Sequence, residues 1–183
     1  MDIPERFLDR SSESDEDDKW SLAARTENGL DLKLGRGQVL PKGFKISGRQ
    51  YGEVKLGFCL SKGTLEVEVI CAKDICPKEK DEPDTYVKTY LRDGERWLQK
   101  RKTKVIRHTR NPQYRQTLKY NSCDVLGRNL LIMLWAKKQG FESNQGLGGA
   151  EVNLDLLPLT HLTVDWYTLF PIHTLGTQTA DSP

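Results

Sequence analysis

Apolar and polar positions alternate with a period of two along most of the chain beyond residue 51. In TLEVEVI, residues 64–70, Leu65, Val67 and Val69 fall on one side and Glu66 and Glu68 on the other, the pattern of a strand with one buried and one wet face. Further strand-like runs are GEVKLGF at 52–58, TYVKTYL at 85–91, KTKVIRH at 102–108, TLKYN at 117–121, NLLIMLWA at 129–136, GAEVNL at 149–154 and WYTLF at 166–170. The turn formers SKG, RDGE, RNP and LGRN separate them, as expected where the chain must reverse. Helical patterning is confined to a possible turn within 154–162. Eight short strands so spaced predict an all-β fold, an antiparallel sandwich. Trp135 and Trp166 sit within these apolar runs and read as packing residues.

Composition changes that picture at both ends. Residues 1–50 carry the acidic run SSESDEDD and the glycine-rich pieces LGRGQ and LPKGFKISGRQ, with little periodic apolar content, and read as a disordered arm or linker. Residues 51–172 form the domain and 173–183 a C-terminal tail. Ser11, Ser12 and Ser14 stand among Glu13, Asp15, Glu16, Asp17 and Asp18, a composition that acidophilic kinases favour; as a plain reading it is a solvated acidic tail. A chain of 183 residues, 37% hydrophobic and 30% charged, supports one ordinary domain. No apolar run approaches the roughly 18 residues of a spanning helix, and MDIPERFLDR lacks the features of a signal peptide. A soluble protein is expected. Cys59, Cys71, Cys76 and Cys123 form no CxxC pair and have no histidine placed to complete a zinc site, so they read as reduced thiols in an intracellular protein.

The net charge is only +2, yet its distribution is uneven. Residues 86–115 hold ten Lys or Arg against two acids, whereas the stretches on either side, 51–85 and 116–183, are both net acidic. With a period of two, Lys100, Lys102 and Lys104 share one face of their run, while Thr103 and Val105 point inward with Val87. Tyr86, Lys88 and Tyr90 alternate in the same way. Cations gathered from neighbouring strands suit an anion receptor. A nucleic-acid module would add a groove of exposed aromatics or an RRM, KH or OB signature; none of these signatures is present, so no nucleic acid is expected. His108, His161 and His173 lie apart, away from any nucleophile motif, and there is no glycine-rich phosphate loop. An enzyme is not expected, and neither is a cofactor.

The runs GTLEVEVICAKDI, PDTYVKTYL, KTKVIRHTRNPQYRQTL, LLIMLWAKKQG, GLGGAEVNL and DWYTLF occur in the order of the strands of a C2 domain. Over residues 51–172 the chain resembles the carboxy-terminal, second C2 domain of the RIM (regulating synaptic membrane exocytosis) family, on the GxVxxG opening at Gly52 to Gly57, LEVEVI, and the WYxLFP ending at Trp166 to Pro171. Piccolo-like active-zone proteins are the near relatives. The resemblance implies an eight-stranded antiparallel C2 β-sandwich in a presynaptic active-zone scaffold for vesicle exocytosis, peripheral at the presynaptic plasma membrane. It also implies a concave basic surface for phosphatidylinositol 4,5-bisphosphate and other anionic lipids, with Tyr86, Lys88, Lys102 and Lys104 on the motif positions. Lys100 and Arg107 complete the candidate lipid-binding set.

Calcium-binding C2 domains gather aspartates from two loops, because the ion takes about six to eight oxygen ligands. Here Asp84 fits one position, but its partner is Lys78, and the DxD position after Trp135 reads Ala136, Lys137, Lys138. Glu79, Asp81 and Glu82 lie on one loop only. Calcium-independent binding is therefore expected, with no metal site. The alternative implied by the resemblance is a module for active-zone or vesicle-fusion proteins, using the KKQGF loop and residues 156–165.

Overall fold

The alternating runs build two antiparallel sheets in a computed structural model that describes residues 33–42, 52–76, 78–121 and 124–175. The strands are β1 (Gln38–Val39), β2 (Glu53–Ser61), β3 (Thr64–Lys73), β4 (Thr85–Asp93), β5 (Arg96–Lys102), β6 (Gln113–Tyr120), β7 (Asn129–Ala136), β8 (Gln145–Asn153) and β9 (Thr163–Thr168). One sheet runs β1-β8-β7-β4-β5 and the other β6-β3-β2-β9. Between them lies a core that includes Leu56, Phe58, Leu65, Val67, Val69, Val87, Leu91, Leu130, Ile132 and Tyr167. These are the inward members of the period-two runs, and burial of each large side chain contributes about 1.5–3 kcal/mol. Tyr114 and Tyr120 close the core by bonding their hydroxyls to Thr85 and Thr89. Burial pushes the Tyr114 phenol well above its ordinary value, so it stays protonated.

Among the described residues nine strands stand where eight were expected, and two of the differences concern the ends. Residues 33–42, assigned to the arm by composition, belong to the sandwich: β1 pairs with β8, and Leu34 is buried. The glycines that suggested a linker are there for close packing. A side chain at Gly35 would press its Cβ into the Tyr167 ring and bring it within 2.6 Å of the Trp166 carbonyl. Gln38, buried, donates to the Thr168 carbonyl at 2.7 Å and accepts from the Gly35 and Thr168 amides. The Tyr167 hydroxyl donates to the Arg36 carbonyl at 2.6 Å. At the other end the 3₁₀ turn Ile172–Leu175 lies against β8 with Leu175 buried, so the ordered chain runs past the expected boundary at 172. The acidic run with its serines, Cys123 and residues 176–183 lie outside the described residues.

The fifth strand is also displaced. KTKVIRH is not a strand; β5 is RWLQKRK, which lacks a clean alternation and ends at Lys102. Thr103 ends the ladder by substituting its side chain for the backbone, its Oγ1 accepting from the Val87 amide and donating to the Lys104 carbonyl. The Lys104 amide then turns to the Gln116 side chain. Beyond it the phase slips: Val105, expected in the core, is exposed, and Ile106 packs inward and bridges Thr85.

The five-stranded sheet is covered on part of its outer face too. Leu34, Tyr86, Tyr90, Leu131, Met133, Trp135, Phe170 and Leu175 form a second buried cluster there. Phe170 is held by paired backbone bonds of 2.8 Å with Gly149. The space for this cover comes from β8, because a Cβ at Gly149 would come within 2.7 Å of the Ile132 carbonyl and of Leu175.

Candidate functional site

The antiparallel register of β4 and β5 sets Lys88 opposite Lys102 and Tyr90 opposite Lys100, while β7 sets Met133 opposite Lys88 and Trp135 opposite Tyr86. The outer face is thus ordered in rows, cationic on β5 and apolar on β7. Tyr86, Lys102 and Lys104 come together in a hollow of about 550 Å³, whose wall is completed by Thr103, Val105, Lys137 and Asn144. Three lysines and no acid line it. Ammonium groups gathered in this way repel one another and make the local potential positive.

The other sequence-derived residues take different places. Lys88 is 6% exposed and is not among the residues that line the hollow; its Nζ lies 5.2 Å from the centre of the Tyr90 ring. Lys100 is exposed one row further along β5. Arg107 is exposed in the segment after β5 and does not line the hollow.

Lys137 and Asn144 were not among the expected lipid contacts. They come from the loop between β7 and β8, which the structure brings to the hollow. The Lys138 amide donates to Asn144 Oδ1 at 3.0 Å, and Asn144 Nδ2 donates to the Tyr86 hydroxyl at 3.2 Å. Asn144 therefore ties this loop to β4. Burial raises the Tyr86 phenol above its ordinary value, opposed by the Asn144 bond, so the hydroxyl keeps its proton at neutral pH and can donate it to a ligand. The signal in the sequence was the pair Lys137 and Lys138, read there as a replacement for acids and as part of a loop for a protein partner. At the tip of the same loop Phe141 is fully exposed.

The described residues 74–76 and 78–84, before β4, are organised by an arginine. Arg110 Nε donates to the Cys76 carbonyl at 3.2 Å, Nη2 to the Glu79 carbonyl at 2.5 Å, and Nη1 lies 3.5 Å from Glu82 Oε1. Asp84 accepts from the His108 amide at 2.8 Å, and its carbonyl accepts from the Lys137 amide at 2.7 Å. Its role is to join the ends of the two loops. Among the described residues no cluster of three His, Cys, Asp or Glu is arranged to hold a metal.

The chain matches a family model for the C2 domain over residues 63–169. The chain belongs to the C2 domain family. It is 37% identical over 122 residues to mouse regulating synaptic membrane exocytosis protein 2, an alignment covering 66% of this chain and 8% of that protein. It is equally similar to human regulating synaptic membrane exocytosis protein 4, over 66% of this chain and 45% of that protein. The chain thus spans less than half the length of these curated relatives. Among solved structures, a C2 domain of RIM from Drosophila superposes with a TM-score of 0.58 at 23% identity, covering 67% of this chain and all of that one. That last likeness is one of fold. The homology of this C2 domain is therefore to RIM-family C2 domains, as its residues suggested.

Proposed function

We propose that this C2 domain docks without calcium on phosphoinositide-containing membrane through the hollow of Tyr86, Lys102, Lys104 and Lys137. In this reading it serves a presynaptic active-zone scaffold for vesicle exocytosis as a domain of the second-C2 type. The observation that carries the reading is the convergence of three lysines and a proton-bearing phenol from two strands and a loop on one acid-free hollow. A bisphosphate headgroup places several anionic oxygens in a small volume, and converging donors reach them together in a way that a serine headgroup does not permit. Lys88, Lys100 and Arg107, outside the lining, widen the attractive field.

Each cation near an anionic leaflet contributes about 1 kcal/mol, and its influence fades within a Debye length of about 8 Å. A handful of cations alone gives transient attachment. Phe141 is a second contact on the same side of the molecule, since an exposed aromatic ring partitions into the headgroup boundary. Calcium independence rests on Arg110, whose fixed positive charge occupies the loop carbonyls of Cys76 and Glu79, and on Lys138 in the facing loop. Titration calorimetry is expected to give no calcium binding in the micromolar range; a low-micromolar site would overturn this part.

The direct test compares Lys102→Ala with Lys104→Ala as a double variant, and Lys62→Ala as control, on vesicles with and without phosphatidylinositol 4,5-bisphosphate at near-physiological salt. Loss of two cations is expected to weaken binding about thirtyfold. A folded double variant that binds like the unaltered domain would overturn the lipid reading. One observation favours a protein partner as the alternative: Leu162 and Val164 are exposed on the opposite sheet beside Gly57, within the segment 156–165.

A further inference from the structure

We infer that the basic hollow has an occupant within this same chain, the acidic segment of residues 11–18, which competes there with anionic lipid. The inference rests on the hollow of the proposed lipid site and adds a resident competitor to it. Three observations carry it. The hollow presents Lys102, Lys104 and Lys137 with no acid among its lining residues. Residues 11–18 present Glu13, Asp15, Glu16, Asp17 and Asp18 with no cation among them. The described chain begins at Lys33, and Leu34 is buried in the same outer-face cluster as Tyr86, whose hydroxyl side forms part of the hollow. The Lys33 carbonyl accepts from Thr168 of β9, so the polypeptide that leads back to the acidic segment meets the domain at the β1 edge of the five-stranded sheet, four strand spacings, about 20 Å, from β5.

Reach and concentration follow from the spacing. Fifteen peptide steps separate Asp18 from Lys33, a span of about 50 Å when fully extended and about 20 Å as a root-mean-square coil. Either covers the distance across one face of a small domain. A ligand tethered in this way is presented to its site at an effective concentration on the order of a millimolar, so even a weak electrostatic contact is well populated. The contact is many weak pairs between exposed groups, hence sensitive to salt. A membrane with a high density of bisphosphate displaces it, whereas one with sparse anionic lipid does not. The domain would then discriminate membranes more steeply than the hollow alone.

The test uses the full chain, a deletion of residues 1–20, and a full-length variant with Glu13→Gln, Asp15→Asn, Glu16→Gln, Asp17→Asn and Asp18→Asn. Backbone and lysine ammonium resonances are recorded without vesicles, at low and physiological salt, and each protein is then titrated with bisphosphate vesicles. Both altered chains are expected to shift Lys102, Lys104 and Lys137 relative to the full chain, independently of protein concentration. Both are expected to bind vesicles about fivefold more tightly, the factor removed when a site is four-fifths occupied by its tethered competitor. Unchanged lysine resonances in both altered chains would overturn the inference, and if the vesicles still bind, the lipid reading survives alone. If the lysine shifts appear but no form binds vesicles, the segment is the ligand of the hollow and the lipid reading fails instead. The neutralised full-length variant guards against a deletion that perturbs folding.

Discussion

The outer face of the five-stranded sheet is two surfaces built on one ladder. Over β7 and β8, Leu131, Met133 and Trp135 are sealed by Phe170, Ile172 and Leu175. Over β4 and β5, at the same depth from the core, the rows end in Lys100, Lys102 and the open hollow. The strands alternate alike; what differs is the residue type that alternation brings outward. On β8 it brings Gly146 and Gly149, whose missing side chains admit the C-terminal segment. On β5 it brings lysines, which nothing apolar can cover without desolvating charge at a cost of several kcal/mol per ion. Cover and exposure on a single face are therefore decided by whether the outward residue leaves room or carries charge.

Changes on the covered half should register as stability and changes on the open half as affinity. The largest effect is expected from Phe170→Ala, which empties the centre of the cover and costs about 3–5 kcal/mol of folding stability by denaturant titration. Its vesicle affinity, measured on the folded fraction, should stay close to that of the unaltered domain; a thirtyfold loss would mean that the two halves act as one unit. The double change at Lys102 and Lys104 is the converse, about thirtyfold in affinity with a nearly unchanged melting temperature, because both side chains are exposed. A marked drop in melting temperature would show that these lysines belong to the fold.

Two smaller predictions sharpen where the open half ends. Lys137→Ala removes one cation contributed by the loop and should weaken bisphosphate binding about fivefold; no change would confine the hollow to the strands. Asn144→Ala removes the tie between that loop and Tyr86 and is expected to cost about threefold, since one neutral hydrogen bond contributes roughly 0.5–1.5 kcal/mol. Faster amide exchange across residues 137–144 in that variant would identify the loss as positional, and unaltered exchange would refute the tie.

How much of this was legible beforehand can be traced residue by residue. Period-two alternation identified seven of the nine strands, because burial on a pleated sheet is a local property that each run carries in its own composition. Strand β5 was misplaced because RWLQKRK is an edge strand whose faces are both largely wet, leaving no alternation to read. Strand β1 was missed because Gly35 and Gly37 were taken for linker composition, when only the approach of Tyr167 and β8 gives them a purpose. In the same way Lys102 and Lys104 could be singled out from spacing, whereas Lys137 and Asn144, more than thirty residues away in sequence, could not.

The sequence by itself determined the all-β class, the inward faces of seven strands and the concentration of charge in residues 86–115, since each depends on residue identity and short spacing alone. Tertiary structure decided which outward face is covered, that Lys88 is buried rather than exposed, and that a distant loop closes the hollow. Those outcomes depend on strand register and on packing between segments remote in the chain, where a side chain's neighbours, and not its own chemistry, fix whether it meets water, another residue or a ligand.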